Sequence, residues 1–136
     1  MVKKIVMFIN GIETQGYFSK QLGKYFTNMG YSVFYYDYWE EERSFQSLKK
    51  FVSHGDTVMI TFNFHGLEEG EVFYNDDGSI FWEKEDIPCY NIVLDHPLYY
   101  HKMLKKLPKK YYQISIDRYH KSYMEKYWGG IMMGPF

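Results

Sequence analysis

Two stretches of this chain place titratable side chains where an apolar run stops. Asp95-His96-Pro97 follows Ile92-Val93-Leu94, with His101 about one turn beyond, and Asp117-Arg118 follows Ile114-Ser115-Ile116, with His120 close behind. A carboxylate beside an imidazole can work as an acid–base pair, and three histidines with two aspartates can bind a metal. The same residues have plain structural uses. Asp95 can cap a helix whose first position is Pro97, Asp117 can cap the helix after it, and Arg118 can pair with Asp95 or Glu13. No H-E-x-x-H or comparable metal signature occurs, and neither a metal nor a cofactor is expected.

Two further strand ends complete the polar set. Asn10-Gly11-Ile12-Glu13-Thr14-Gln15-Gly16 follows the first apolar run, and Asn63 and His65-Gly66 close another. At a helix start, the first loop lets backbone N–H groups approach a phosphate or sugar. It is neither G-x-G-x-x-G nor a lysine-bearing P-loop, and a turn that simply needs a glycine accounts for it as well. Cys89 opens a buried run with no helix start near it in sequence, which favours packing over nucleophilic chemistry.

These residues need a scaffold that gathers strand ends. Lys4–Ile9 is a continuous apolar run, expected of a strand buried on both faces of a parallel sheet. Phe18, Leu22, Phe26 and Met29 then recur at helical spacing up to Gly30. Tyr31–Tyr38 reads as strand two, Phe45, Leu48, Phe51 and Val52 as a helical stripe, and Thr57–Phe64 as strand three. Cys89–Leu94 and Tyr111–Ile116 are strands four and five. The first is followed by a helix carrying Leu98, Met103, Leu104 and Leu107, the second by one carrying His120, Tyr123, Met124 and Tyr127.

The acidic, glycine-containing stretch 67–88 breaks the alternation and reads as an irregular hairpin insertion. Alternating strands and helical stripes imply an α/β fold: a doubly wound parallel five-stranded sheet, Rossmann- or flavodoxin-like, in the order 3-2-1-4-5. That order puts the ligand-binding switch point between strands one and four.

Length and composition narrow the function classes. With 136 residues, 46% hydrophobic and 24% charged, the chain suits one domain, 1–136, with enough core to fold without disulfides or metals. Its net charge of −1 lacks the basic footprint of a nucleic-acid binder. One cysteine and a short first apolar run fit a cytoplasmic protein without a signal peptide or membrane span. The absence of alanine, with Arg43 and Arg118 the only arginines beside many lysines, hints at an AT-rich genome. The apolar, glycine-rich tail Gly129–Phe136 has no readable pattern. It looks like a point where more protein follows, and can pack on the domain or pair with a second copy to form a homodimer.

Thr61-Phe62-Asn63, then Asp95-His96-Pro97-Leu98 with His101, then Asp117-Arg118-Tyr119-His120 with Tyr123 stand in order at successive strand ends. In this the chain resembles the N-terminal half of bacterial glycosyltransferase-like proteins with two Rossmann-type (GT-B-like) domains. The resemblance spans nearly the whole chain. It implies the acceptor-side domain of a sugar-transfer enzyme, its nucleotide sugar held mainly by a second domain, and little or no activity for this chain alone. It also implies that Asp95 or His96 carries the acid–base role, while Asn10, Gly11, Glu13, Asn63, His65, His101, Asp117, Arg118 and His120 shape the substrate cleft. The competing expectation is a stand-alone flavodoxin-like module that binds a small ligand or a protein partner, the latter through exposed aromatics such as Trp39, Trp82 and Trp128. Receiver-type phosphoacceptor chemistry is disfavoured by Asn10-Gly11, His65 and Asp117-Arg118 at the positions that would carry it.

Overall fold

The computed structural model describes residues 1–129 together with Met132–Met133. Its strands are β1 (Lys4–Ile9), β2 (Ser32–Asp37), β3 (Thr57–Phe62), β4 (Cys89–Val93) and β5 (Tyr111–Ser115), followed by the two-residue β6 (Met132–Met133). Its helices are α1 (Glu13–Asn28), α2 (Glu41–Phe51), α3 (Phe81–Lys84), α4 (His101–Leu104) and α5 (Arg118–Tyr127). Every pairing between strands is parallel, and the fold is the α/β architecture expected.

The strand order corrects the expectation. It runs β2-β1-β3-β4-β5-β6, so β1 lies between β2 and β3, and the chain reverses between β1 and β3 rather than between the first and fourth strands. The cause lies in the side chains. β3 is buried along almost its whole length, as a central strand must be, whereas β2 offers half-exposed Val33, Phe34 and Tyr35 suited to an edge. Right-handed crossovers in opposite directions then place the first two helices on opposite faces. Leu22 and Phe26 of α1 pack against Ile5, Met7, Val58 and Phe62, while Leu48 of α2 joins Val6, Phe8 and Met59 on the other face.

Stretch 67–88 has the expected turn, with Tyr74 bridged antiparallel to Ile80, but it is no surface appendage. Leu67, Phe73, Tyr74, Ile80, Phe81, Trp82 and Ile87 are all buried in the larger core, where the segment takes the place of a crossover helix. The long helix expected after strand four is instead a 3₁₀ turn, Pro97–Tyr100, and the single turn of α4. In the tail, Met132 and Met133 extend the sheet beside Tyr112 and Gln113, giving a short sixth strand where none was expected. The rest of the tail, 130–131 and 134–136, on which the pairing expectation also rests, lies outside the described residues. Among the described residues, no helix is long and apolar enough to cross a membrane.

Candidate functional site

Because the sheet reverses between β1 and β3, the ends of those strands and of β2 form one mouth. A cavity of about 780 Å³ opens there, lined by Gly11, Tyr38, His65 and Glu71 together with Glu41, Glu42, Glu68 and Phe45. Left-handed backbone marks both strand ends: Asn10 has φ 64°, and after β3 Asn63 and Phe64 have φ 47° and 65°. Such a conformation is rare for a residue as bulky as phenylalanine, and it is held only where surrounding contacts compel it.

Glu71 is the anchor of the cavity wall. Tyr38 Oη donates to its Oε1 at 2.6 Å, while the backbone N–H groups of Gly66 and Glu68 donate to its Oε2 at 2.9 and 3.1 Å. Burial raises the Glu71 carboxyl above the usual carboxylate range, against the lowering effect of those three donors. Burial and the neighbouring Glu71 charge push the Tyr38 hydroxyl far up, so it stays protonated and acts as a donor. His65 stands beside this pair, its ring edge-on to Tyr38 at 5.3 Å between centroids. Burial lowers its pKa, favouring the neutral imidazole at neutral pH. None of the bonds holding Glu71 uses its ring nitrogens.

Gly11 closes the arrangement from β1. A Cβ there would stand 2.9 Å from both His65 Cε1 and Tyr38 Cδ2, so only glycine lets the β1 turn approach the pair without displacing it.

The other expected site residues divide into two groups. Asn10 Nδ2 donates to Asp37 Oδ1 at 2.9 Å, and Glu13 lines a neighbouring groove that shares Gly11 with the main cavity. Asn63 is a bridge rather than a lining residue: its Oδ1 accepts from Leu94 N at 2.7 Å, and its Nδ2 donates to Asp95 Oδ2 at 3.2 Å. Asp95 Oδ2 also accepts from Tyr100 Oη. The helix cap assigned to Asp95 belongs to His96, whose Nδ1 accepts from Leu98 N at 3.0 Å: the turn starts at Pro97 as expected, and the residue directly before it is His96.

His96, His101 and His120 do gather, around Tyr123 at the β4–β5 end. Among the described residues, however, no group of three or more His, Cys, Asp or Glu side chains is arranged to hold a metal ion. Asp117 caps α5 as anticipated, accepting from Tyr119 N at 2.7 Å. Arg118 lies over the Tyr119 ring, rather than forming the ion pair anticipated with Asp95 or Glu13.

The sequence reading missed Tyr38 and Glu71. With β2 beside β1, residues just after β2 belong to the mouth, and Tyr38 is the first of them. Glu71 sits in an acidic run whose members look alike in sequence. Only the fold shows that this one turns inward.

The fold and site together define a Rossmann-like α/β protein with a polar switch-point pocket. Comparison with known proteins finds no matching family model, no similar curated protein and no similar solved structure.

Proposed function

We propose that the β1–β3 pocket receives the acceptor in a glycosyl-transfer reaction, and that this chain supplies the acceptor-side half of a two-domain sugar-transfer enzyme. One observation carries the reading: the described lining of the pocket pairs a neutral imidazole with four glutamates and contains no lysine or arginine. A nucleoside diphosphate needs cations around its phosphates, and in the described lining it would meet Glu41, Glu42, Glu68 and Glu71 instead. An acceptor hydroxyl suits the same lining, because it can donate to a carboxylate, to the His65 imidazole or to the Tyr38 oxygen, whose own proton is held by Glu71.

In this mechanism the acceptor oxygen attacks the anomeric carbon of the donor sugar while His65 takes its proton. The bond from that carbon to the leaving phosphate oxygen breaks, and the phosphate departs with the electron pair. Burial keeps His65 deprotonated and ready for the task. The acid–base role therefore passes from Asp95 and His96 to His65, since Asp95 is engaged by Asn63 and Tyr100 and His96 Nδ1 caps a turn.

Amide NMR of the isotopically labelled chain tests the reading. Glucose, galactose, N-acetylglucosamine and their methyl glycosides are titrated in parallel with UDP and GDP. At least one saccharide is expected to shift the amides of Gly11, His65 and Gly66, while the nucleotides leave them in place. Nucleotide binding at those amides, or no response to any saccharide, overturns the proposal. Sugar transfer by the chain alone is expected to be negligible, with the donor side of the cleft supplied elsewhere.

A second reading has one observation in its favour, since β2-β1-β3-β4-β5 is the strand order of flavodoxin-like nucleotide binders. Flavin mononucleotide shifting the same three amides would support it.

A further inference from the structure

Next to the pocket, and sharing Gly11 with it, runs a second cavity of about 610 Å³ lined by Asn10, Glu13, Tyr17, Lys20 and Trp39. Two of its walls are exposed aromatic rings. Trp39 is 78% exposed and Tyr17 60% exposed, whereas Trp82 is fully buried and Trp128 half-buried. An open indole costs hydration free energy, and its position here is held from below: Asp37 Oδ1 accepts both from Trp39 N and from Asn10 Nδ2, each at 2.9 Å. That network ties the turn carrying Trp39 to the end of β1. The aromatic ring is therefore presented on a fixed backbone rather than on a loose loop.

The polar groups beside these rings select the chemistry. Glu13 only accepts hydrogen bonds when ionised, Lys20 only donates, and an amide such as Asn10 does both. One acid and one base leave the lining without net charge, so it favours neither an anion nor a cation over a neutral ligand. A ring with an apolar face and a rim of hydroxyls matches all of them, because each hydroxyl donates and accepts while the C–H face lies on indole or phenol.

We propose that this groove is a second saccharide subsite, binding the sugar next to the one whose hydroxyl enters the His65 pocket, so that the natural acceptor is an oligosaccharide or glycoside rather than a free monosaccharide. The proposal rests on the acceptor reading of the neighbouring pocket and extends it to the size of the acceptor.

The test uses the full chain, with the monosaccharides of the panel above and the disaccharides maltose, cellobiose, lactose and chitobiose. Binding is followed by indole fluorescence, to which Trp39 is the most exposed contributor, and by the amide shifts of Gly11 and His65. At least one disaccharide is expected to quench or blue-shift the emission and to bind roughly two- to tenfold tighter than its component monosaccharide. Trp39→Ala should abolish that advantage while leaving monosaccharide shifts at His65 unchanged, and Trp39→Phe should retain part of it. Circular dichroism confirms that both variants fold. Disaccharides that bind no tighter than monosaccharides, or an advantage that survives Trp39→Ala, overturn the subsite while the acceptor pocket stands. Silence of the Gly11 and His65 amides toward every sugar overturns the pocket reading and the subsite with it.

Discussion

Glu71 offers the sharpest separation between charge and hydrogen bonding. Replacing it with alanine leaves three donors without their acceptor: the Tyr38 hydroxyl and the N–H groups of Gly66 and Glu68. Hydrogen bonds to a charged group contribute about 1.5–3 kcal/mol each. Water entering the open pocket recovers part of that, so the expected loss is roughly 2–5 kcal/mol. For a chain of this length the melting temperature should fall by roughly 6–20 °C.

Glu71→Gln should behave differently. Its amide oxygen can keep both backbone bonds, and its NH₂ can donate to Tyr38, whose hydroxyl turns from donor to acceptor. The expected change at neutral pH is within about 1 kcal/mol. The pH dependence follows from the raised carboxyl of the folded chain. Between the ordinary glutamate value and the higher folded value, the folded state binds more protons than the unfolded one, so stability is lost as pH rises through that window. The parent should therefore gain on Glu71→Gln as the solution is acidified. Thermal melts of the three proteins over a pH series measure all of this. A glutamine variant as unstable as the alanine one would show that the full charge is required and refute the reversible Tyr38 hydroxyl.

His65 has the opposite sign: its folded pKa is lowered, so stability should fall as pH drops below the ordinary histidine value, and His65→Asn should flatten that part of a denaturation series. Gly66→Ala should cost roughly 2–5 kcal/mol, from a left-handed backbone at φ 81° and a Cβ only 2.4 Å from the buried Phe8 ring, as measured by urea unfolding. Cys89 is fully buried with its thiol pushed well up, so a thiol-reactive chromophore should label the native chain no faster than the chain unfolds.

The strands were readable from sequence because each is a short run of apolar and aromatic residues. Their neighbours were harder. Strand order depends on which run can tolerate an edge, and the half-exposed Val33, Phe34 and Tyr35 of β2 settle that only when set against the buried β3. Gly11 and His65 were visible as polar breaks after apolar runs. Glu71 was hidden among Glu68, Glu69 and Gly70, since a charged residue that turns inward carries no local mark. The histidines after β4 and β5 were placed correctly at strand ends, but that end of the sheet lies on the far side of Asn63 from the β1–β3 pocket.

The left-handed turn after β3 ties the β1–β3 pocket to the β4–β5 side of the sheet. Phe64 holds a backbone conformation that costs about 1–2 kcal/mol for an ordinary side chain, and three contacts keep it there. Its N–H donates to Asn91 Oδ1 at 3.1 Å, and its ring packs against Tyr100 at 4.7 Å and Tyr111 at 6.3 Å between centroids. Tyr100 belongs to the segment that also carries Asp95 and His96, and the residue after Phe64 is His65. The turn is thus held in place from the β4–β5 side. The residue that precedes the pocket's imidazole is therefore fixed by side chains of β4, of β5 and of the segment after β4, none of which lines the pocket.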